Sequence, residues 1–255
     1  MQTSFDLSGR TALVTGASAG LGTHFARLLA AHGATVVAAA RRTDLLDTLV
    51  AELRGAGARA LAVPMDVTSG SAIAAGFDLA EAEVGTLDLI VNNAGISIAK
   101  PALELDEADW DAVVDTNLRG AWLVAQAAAR RLLAARRAGR IVNIASIVGV
   151  RAVGQLAPYA AAKAGLIHLT RVLALEWARH GIQVNAVAPG YVETDINRDF
   201  WHTTAGQRLV ARIPQGRIGA PHDLDGALLL LASDAGRFMT GSVVVVDGGH
   251  VVSTL

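Results

Sequence analysis

Short runs of Val, Ile, Leu and Ala recur along the chain, each followed by a longer stretch in which apolar residues return every three to four positions. That alternation predicts repeated strand-helix units and a parallel sheet. Strands are predicted near 11–15, 35–40, 59–63, 87–91, 140–145, 182–188 and 243–246, with helices between them. The stretches TVVAAA, LDLIVN, RIVNIA and IQVNAVA are apolar at nearly every position, as strands covered on both faces require. Gly33, Gly85, Gly139 and Gly181 each stand after a helical pattern and before a strand, where a helix C-cap glycine belongs. The predicted fold class is therefore α/β: one doubly wound parallel sheet of about seven strands with helices on both faces. No linker or low-complexity tract divides the chain, so a single domain is expected over 1–255. Only 189–220 breaks the pattern, punctuated by Pro189, Gly190, Pro214, Gly216 and Gly219. An irregular segment of that length predicts a substrate loop or lid.

Composition narrows the picture. With 52% hydrophobic residues, 26 glycines and only 4% aromatics, the core must be built from Ala, Val and Leu at close helix-sheet contacts. Acidic and basic residues number 23 and 22, so no long-range field draws nucleic acid or an anionic membrane. The absence of cysteine excludes disulfides and thiolate metal sites. No ligand spacing joins the seven histidines to a carboxylate, and no metal is expected. No signal-peptide core or membrane-length apolar run is present, so a cytoplasmic protein is expected.

The first strand runs into TGASAGLG and then a helix. A diphosphate needs backbone N–H groups at a helix N-terminus and glycines that let it approach, and Gly16, Gly20 and Gly22 meet that need. Their spacing is G-x-x-x-G-x-G, so the glycines can also serve a tight turn and helix packing alone. At the end of the second strand, where such a unit meets the adenosine ribose, stand Arg41 and Arg42 and no acid. Basic residues there favour the 2'-phosphate, so NADP(H) is expected in preference to NAD(H), with Arg41 the expected contact.

These residues, with others further on, give the chain a resemblance to the short-chain dehydrogenase/reductase family over nearly its whole length. TGASAGLG resembles the family's cofactor loop, and NNAG at Asn92–Gly95 its fourth-strand signature. Asn117, Ser146, Tyr159 and Lys163 match its catalytic four, in order and spacing. The resemblance implies a Rossmann-type fold and interconversion of a ketone and a secondary alcohol. It implies cofactor contacts from Gly16, Ser18, Gly20, Leu21, Gly22, Arg41, Asp66, Val67, Asn93, Gly95, Tyr159, Lys163, Pro189, Gly190, Val192 and Thr194. It also implies a homotetramer pairing helices near 108–135 and 156–179 across subunits. The branch is similar to 3-oxoacyl carrier-protein reductases and their sugar, alcohol and steroid relatives, and the resemblance does not choose among those substrates. Arg137 matches a basic docking position of carrier-protein reductases, while His180 stands where a second arginine is expected. Enoyl reductases of the fold resemble a pattern with a wider tyrosine-lysine separation. A dinucleotide sensor without turnover is the alternative of another class, though sensors usually lose the tyrosine or lysine.

The constellation suits carbonyl reduction. A tyrosine of ordinary pKa about 10 relays a proton near neutrality only if that value falls by ~3 units, roughly 4 kcal/mol. Lys163, one helical turn from Tyr159, can supply ~4 kcal/mol at 4 Å if the site is dry, and only ~1 in water. The alanines of LAPYAAAKAGL predict that dryness. Ser146, at a strand's end, can donate to the substrate oxygen or simply form a turn. Asn117 continues an apolar stripe of Trp110, Val113, Val114, Ala121 and Val124, so its amide is expected to be buried and partnered, by a catalytic water or by structure. Asn92 and Asn93 can tie the fourth strand to neighbouring backbone. Phe200, Trp201 and His202 are candidates for an apolar substrate wall, and Trp201 equally for a subunit contact; Arg151, Gln155 and Trp201 can shape the pocket.

Overall fold

A computed structural model describes residues 5–194 and 197–253. Its seven strands are β1 Thr11–Thr15, β2 Thr35–Ala40, β3 Ala60–Pro64, β4 Leu89–Asn92, β5 Gly139–Ile144, β6 Ile182–Pro189 and β7 Val243–Val246. They form one parallel sheet in the order β3-β2-β1-β4-β5-β6-β7. Strand order reverses between β1 and β4, and a crevice opens there at the carboxyl edge. The predicted strands are all present, displaced by at most two residues.

The helices are α1 Gly20–Ala31, α2 Thr43–Gly55, α3 Gly70–Val84, α4 Glu107–Val114, α5 Gly120–Ala134, α6 Ala157–Trp177, α7 Arg198–Trp201, α8 Thr204–Val210 and α9 Asp225–Ala232. Phe25 and Leu29 of α1, Leu46 and Leu53 of α2 and Leu228 of α9 cover one face of the sheet, against Val14, Val36, Ala38 and Val91. Ile73 and Phe77 of α3, Val124 of α5 and Leu173 of α6 cover the other, against Leu13, Val37, Ile90 and Ile141. Successive strand residues thus point into opposite cores, which is why the strands read as continuous apolar runs.

Three departures from expectation have local causes. Gly33 closes α1 at φ +94°, with its N–H on Ala30 O and Ala34 N–H on Leu29 O. Gly139 plays no such part: Arg136 takes the left-handed position after α5 at φ +52°, with the same bond pair to Leu133 and Leu132. Gly139 instead opens β5, where a side chain would overlap Leu132. Trp110 is 43% exposed and so leaves the expected stripe, while Val113, Asn117 and Val124 stay buried. Between α4 and α5 the helix widens into a π turn over Asp115–Arg119, which shifts the register of everything before it. Within the 189–220 segment α7 and α8 take up 198–201 and 204–210, and most of the remainder is irregular; its residues 195 and 196 lie outside the described ones.

Candidate active site

The expected catalytic and cofactor residues lie on or beside the carboxyl edge of the sheet. A cleft of about 540 Å³ runs along it, lined by the glycine loop, Arg41, Arg42, Asp66, Val67, Asn93, Gly95 and Thr194. It opens into a chamber of about 450 Å³ holding Ser146, Tyr159, Lys163, Pro189, Gly190 and Val192, and both cavities share Leu21, Asn93, Gly95, Ile96 and Thr194. Asn117 stands just behind Gly95, its Oδ1 3.0 Å from where a Cβ on that glycine would sit.

The glycine loop is set for an anion. Ala19 caps α1 without a side-chain hydrogen bond and the first turn holds no acid, so its backbone N–H groups face the cleft with no side-chain acceptor. Gly16, at φ +67°, brings the loop so near β4 that a Cβ would stand 2.8 Å from Ala94 Cα. At Gly22 a side chain would overlap Gly16 O and stand 2.7 Å from Asn93 Nδ2. Arg42 donates from Nη2 to Ser18 Oγ at 3.0 Å, which draws its cation across the loop. Arg41 lines the same cleft and helps hold Asp66 below the ordinary carboxylate range, after the larger effect of hydrogen bonds from Thr68 N and Oγ1. Both arginines therefore line the cleft at the end of β2, where Arg41 was expected to be the main contact. This donor set suits a dinucleotide bearing an additional phosphate.

Both asparagines after β4 secure backbone. Asn92 donates to Ala121 O at 3.0 Å and to Asn143 Oδ1 at 2.9 Å, and Asn143 donates in turn to Thr170 Oγ1 at 2.9 Å. Asn93 Nδ2 donates to Thr15 O at 3.0 Å, tying β4 to the glycine loop from the cleft wall. Asn117 accepts from Ile96 N and donates to Ile96 O, both at 2.8 Å, so its amide fixes the strand-end loop.

Ser146 follows β5, accepts from Val148 N at 3.3 Å and is hydrogen-bonded to Tyr159. Lys163 is only 4% exposed; its Nζ donates to Ile144 O at 2.7 Å and stands 5.6 Å from the Tyr159 ring centroid. Burial lowers its pKa to about 8. Burial also raises Tyr159 above the ordinary tyrosine value, opposed by the Ser146 hydrogen bond and assisted by the nearby Tyr191. In the protein alone, burial thus acts against the charged form of both groups. Dry surroundings magnify an attraction between charges, but they penalise each charge first, and Lys163 spends its ammonium on a carbonyl.

Beyond β6, a Cβ on Gly190 would stand 2.7 Å from Asp247, so the two loops meet only over glycine. Thr194 N donates to Asn197 Oδ1 at 2.7 Å, and Asn197 Nδ2 to Val192 O at 2.9 Å. Trp201 is 5% exposed and packs on Tyr191, centroids 5.6 Å apart, with its Nε1 on Asn197 Oδ1. It supports the chamber from behind, whereas Phe200 and His202 face outward; Tyr191, unremarked in the sequence, forms the wall. The signal was available, since Tyr191 follows the Pro-Gly pair directly. Gln155 adopts φ +64° and accepts from Lys100 N, placing the adjacent Leu156 in the chamber. Arg137 is engaged by Asp88 at 3.3 Å and His180 by Arg179 at 3.1 Å. Among the described residues no metal-binding cluster of His, Asp or Glu occurs, and no helix is long and apolar enough to cross a membrane.

A parallel α/β sheet with an anion loop and a Ser-Tyr-Lys cluster at its switch point defines a dinucleotide-linked oxidoreductase architecture. A family model described as enoyl-(acyl carrier protein) reductase matches residues 16–251. Gluconate 5-dehydrogenase of Gluconobacter oxydans (strain 621H) is 39% identical, over 98% of this chain and 97% of that one. Cis-4-hydroxycyclohexanecarboxylate dehydrogenase of Sinomonas cyclohexanicum is 43% identical, over 94% and 96%. The crystal structure of a gluconate 5-dehydrogenase from Burkholderia cenocepacia J2315, in complex with NADP and tartrate, superposes with TM-score 0.94 at 40% identity, over 98% of each chain. The chain belongs to the short-chain dehydrogenase/reductase family of oxidoreductases.

Lys163 has a testable energetic signature. With its folded pKa at about 8 against ~10.4 unfolded, the native state binds fewer protons between those values. Stability therefore rises with pH across that window, and below it the buried ammonium costs about 3 kcal/mol. Denaturant titration without added dinucleotide should find Lys163→Met more stable than wild type at pH 7 by about 2 kcal/mol, the lost bond to Ile144 O offsetting part of that cost. The gap should shrink from pH 8 towards pH 10 as wild type sheds its proton.

Proposed function

We propose that this chain is an NADP(H)-dependent oxidoreductase, one domain over 1–255, that interconverts a ketone and a secondary alcohol. The observation that carries the reading is the convergence of Ser146, Tyr159 and Lys163 on one chamber continuous with the cleft of Arg41 and Arg42. The dinucleotide supplies hydride. In the reductive direction Tyr159 gives its phenolic proton to the carbonyl oxygen, and the Ser146 hydroxyl donates a hydrogen bond to that oxygen as charge develops on it. Lys163 keeps a positive charge behind the phenol, and Asn117 fixes Ile96 so that the loop between β4 and the chamber holds its shape. Gly16, Ser18, Gly20, Leu21, Gly22, Arg41, Asp66, Val67, Asn93 and Gly95 form the adenosine and diphosphate side. Tyr159, Lys163, Pro189, Gly190, Val192 and Thr194 form the nicotinamide side.

The separation of Tyr159 and Lys163 by one helical turn favours ketone over enoyl reduction, although the matching family model carries the enoyl reductase description. NADP(H) is favoured by Arg42 on Ser18, by Arg41 beside it, and by the lack of an acid at the end of β2. A homotetramer is favoured by apolar side chains left uncovered on the helices expected to pair: Trp110, Trp122 and Leu133 on α4 and α5, Val172 and Leu175 on α6.

With NADPH and a panel of ketones, Tyr159→Phe should lower kcat/KM by about 10²-fold or more while NADPH binding survives. Loss of less than tenfold on every active ketone would remove Tyr159 as the acid. Fluorescence titration should show Arg42→Ala weakening NADPH about tenfold and NADH less than twofold, as expected for one charge-assisted contact to a phosphate. Light scattering should report four times the 26.3 kDa chain mass at micromolar concentration, and a monomer would contradict the assembly.

A further inference from the structure

The chamber's polar groups are nearly all committed before a substrate arrives. Among the side chains that line the chamber and not the cleft, the polar ones are Ser97, Ser146, Tyr159, Lys163, Tyr191 and Asn197. Ser146 and Tyr159 are hydrogen-bonded to each other and meet the reacting oxygen under the proposed reading. Lys163 is buried with its Nζ on Ile144 O. Asn197 accepts from Thr194 N and Trp201 Nε1 and donates to Val192 O. Among the described chamber residues that the cleft does not share, the Ser97 and Tyr191 hydroxyls are left for the rest of a substrate, and the remaining wall includes Ile147, Val148, Leu156 and Val192.

Among the described residues, Lys163 is the one lysine or arginine that lines the chamber. Arg151, whose charge reaches Tyr191, is held by His250 O and Ser253 Oγ and does not line the chamber. Lys100 is paired with Asp109, and Arg217 with Asp223. Beside the chamber, the described residues between Tyr191 and Asp199 include the acids Glu193 and Asp199 and the base Arg198. Their net charge opposes an approaching anion. A sugar acid would bury several hydroxyls and a carboxylate against hydrocarbon with two hydroxyls to receive them, and unpaired buried polar groups carry their whole desolvation cost.

We propose that the chamber is specific for an uncharged, mainly hydrocarbon ketone or secondary alcohol, in contrast to the carboxylated molecules for which the two relatives above are named. The inference rests on the reductase reading of the same site. A shape-matched pair tests it: 4-methylcyclohexanone and 4-oxocyclohexanecarboxylate, each with NADPH and the full-length protein, with 5-keto-D-gluconate as the sugar-acid probe. The methyl ketone should exceed the carboxylate in kcat/KM by at least tenfold, about 1.4 kcal/mol, and exceed the sugar acid by more. Ser97→Arg, which adds a cation at an exposed position of the wall, should narrow the ratio of the matched pair at least threefold. Equal or better turnover of either carboxylated probe, or a ratio unmoved by Ser97→Arg, would overturn the specificity while leaving the reductase reading in place. Turnover of no probe above a Tyr159→Phe control would overturn the reductase reading, and the specificity with it.

Discussion

Keeping a charged lysine dry beside a tyrosine is the constraint around which the site is arranged. Lys163 is held where its proton is lost near pH 8, and the only side-chain hydrogen bond it makes is to the carbonyl that ends β5. That position demands small neighbours. Gly149 crosses α6 so tightly that a Cβ would stand 2.7 Å from the Lys163 carbonyl carbon, and at Gly165 a Cβ would stand 2.9 Å from Leu118 Cδ2. The alanine-rich helix is therefore a packing solution and an electrostatic one together. It excludes water from the lysine while leaving the phenol open to the chamber.

Rigid polar ties transmit that arrangement through the sheet. Asn92, Asn143 and Thr170 form a buried chain joining β4, β5 and α6, and Asn93 joins β4 to the glycine loop. Asn117 clasps Ile96 from the π turn, a wider turn that brings its amide level with Gly95. The anion loop, the Ser-Tyr-Lys cluster and Asn197 of the segment after β6 are thereby tied to one another through hydrogen bonds and packing. In such a frame the polar inventory of the chamber is fixed as well, which is what makes its scarcity of unspent donors meaningful for substrate choice.

Much of this was legible in the residues because parallel strands buried on both faces leave no polar position in their runs, and the seven strands fell within two residues of expectation. What failed to show were features set by contacts between segments. Gly139 looked like a cap, but the left-handed turn fell to Arg136 and the glycine was needed under Leu132. Trp110 fitted a helical stripe whose phase the π turn then changed. Arg42, and not only Arg41, reached the loop because side-chain direction is decided by where α2 starts. The tyrosine-lysine spacing says which charge can act on the phenol, whereas the burial that raises Tyr159 depends on packing that no spacing rule measures.

Burial holds the Tyr159 phenol above its ordinary value in the protein alone, and the positive charge of an oxidised dinucleotide would act with that of Lys163 to lower it. Tyrosine ring ¹³Cζ chemical shifts followed against pH, with Tyr159→Phe for assignment, test this directly. Without dinucleotide, Tyr159 should titrate above the ordinary value of about 10, and addition of NADP⁺ should move it down by more than one unit. A Tyr159 that already titrates below 10 without dinucleotide, or one unmoved by NADP⁺, would contradict it.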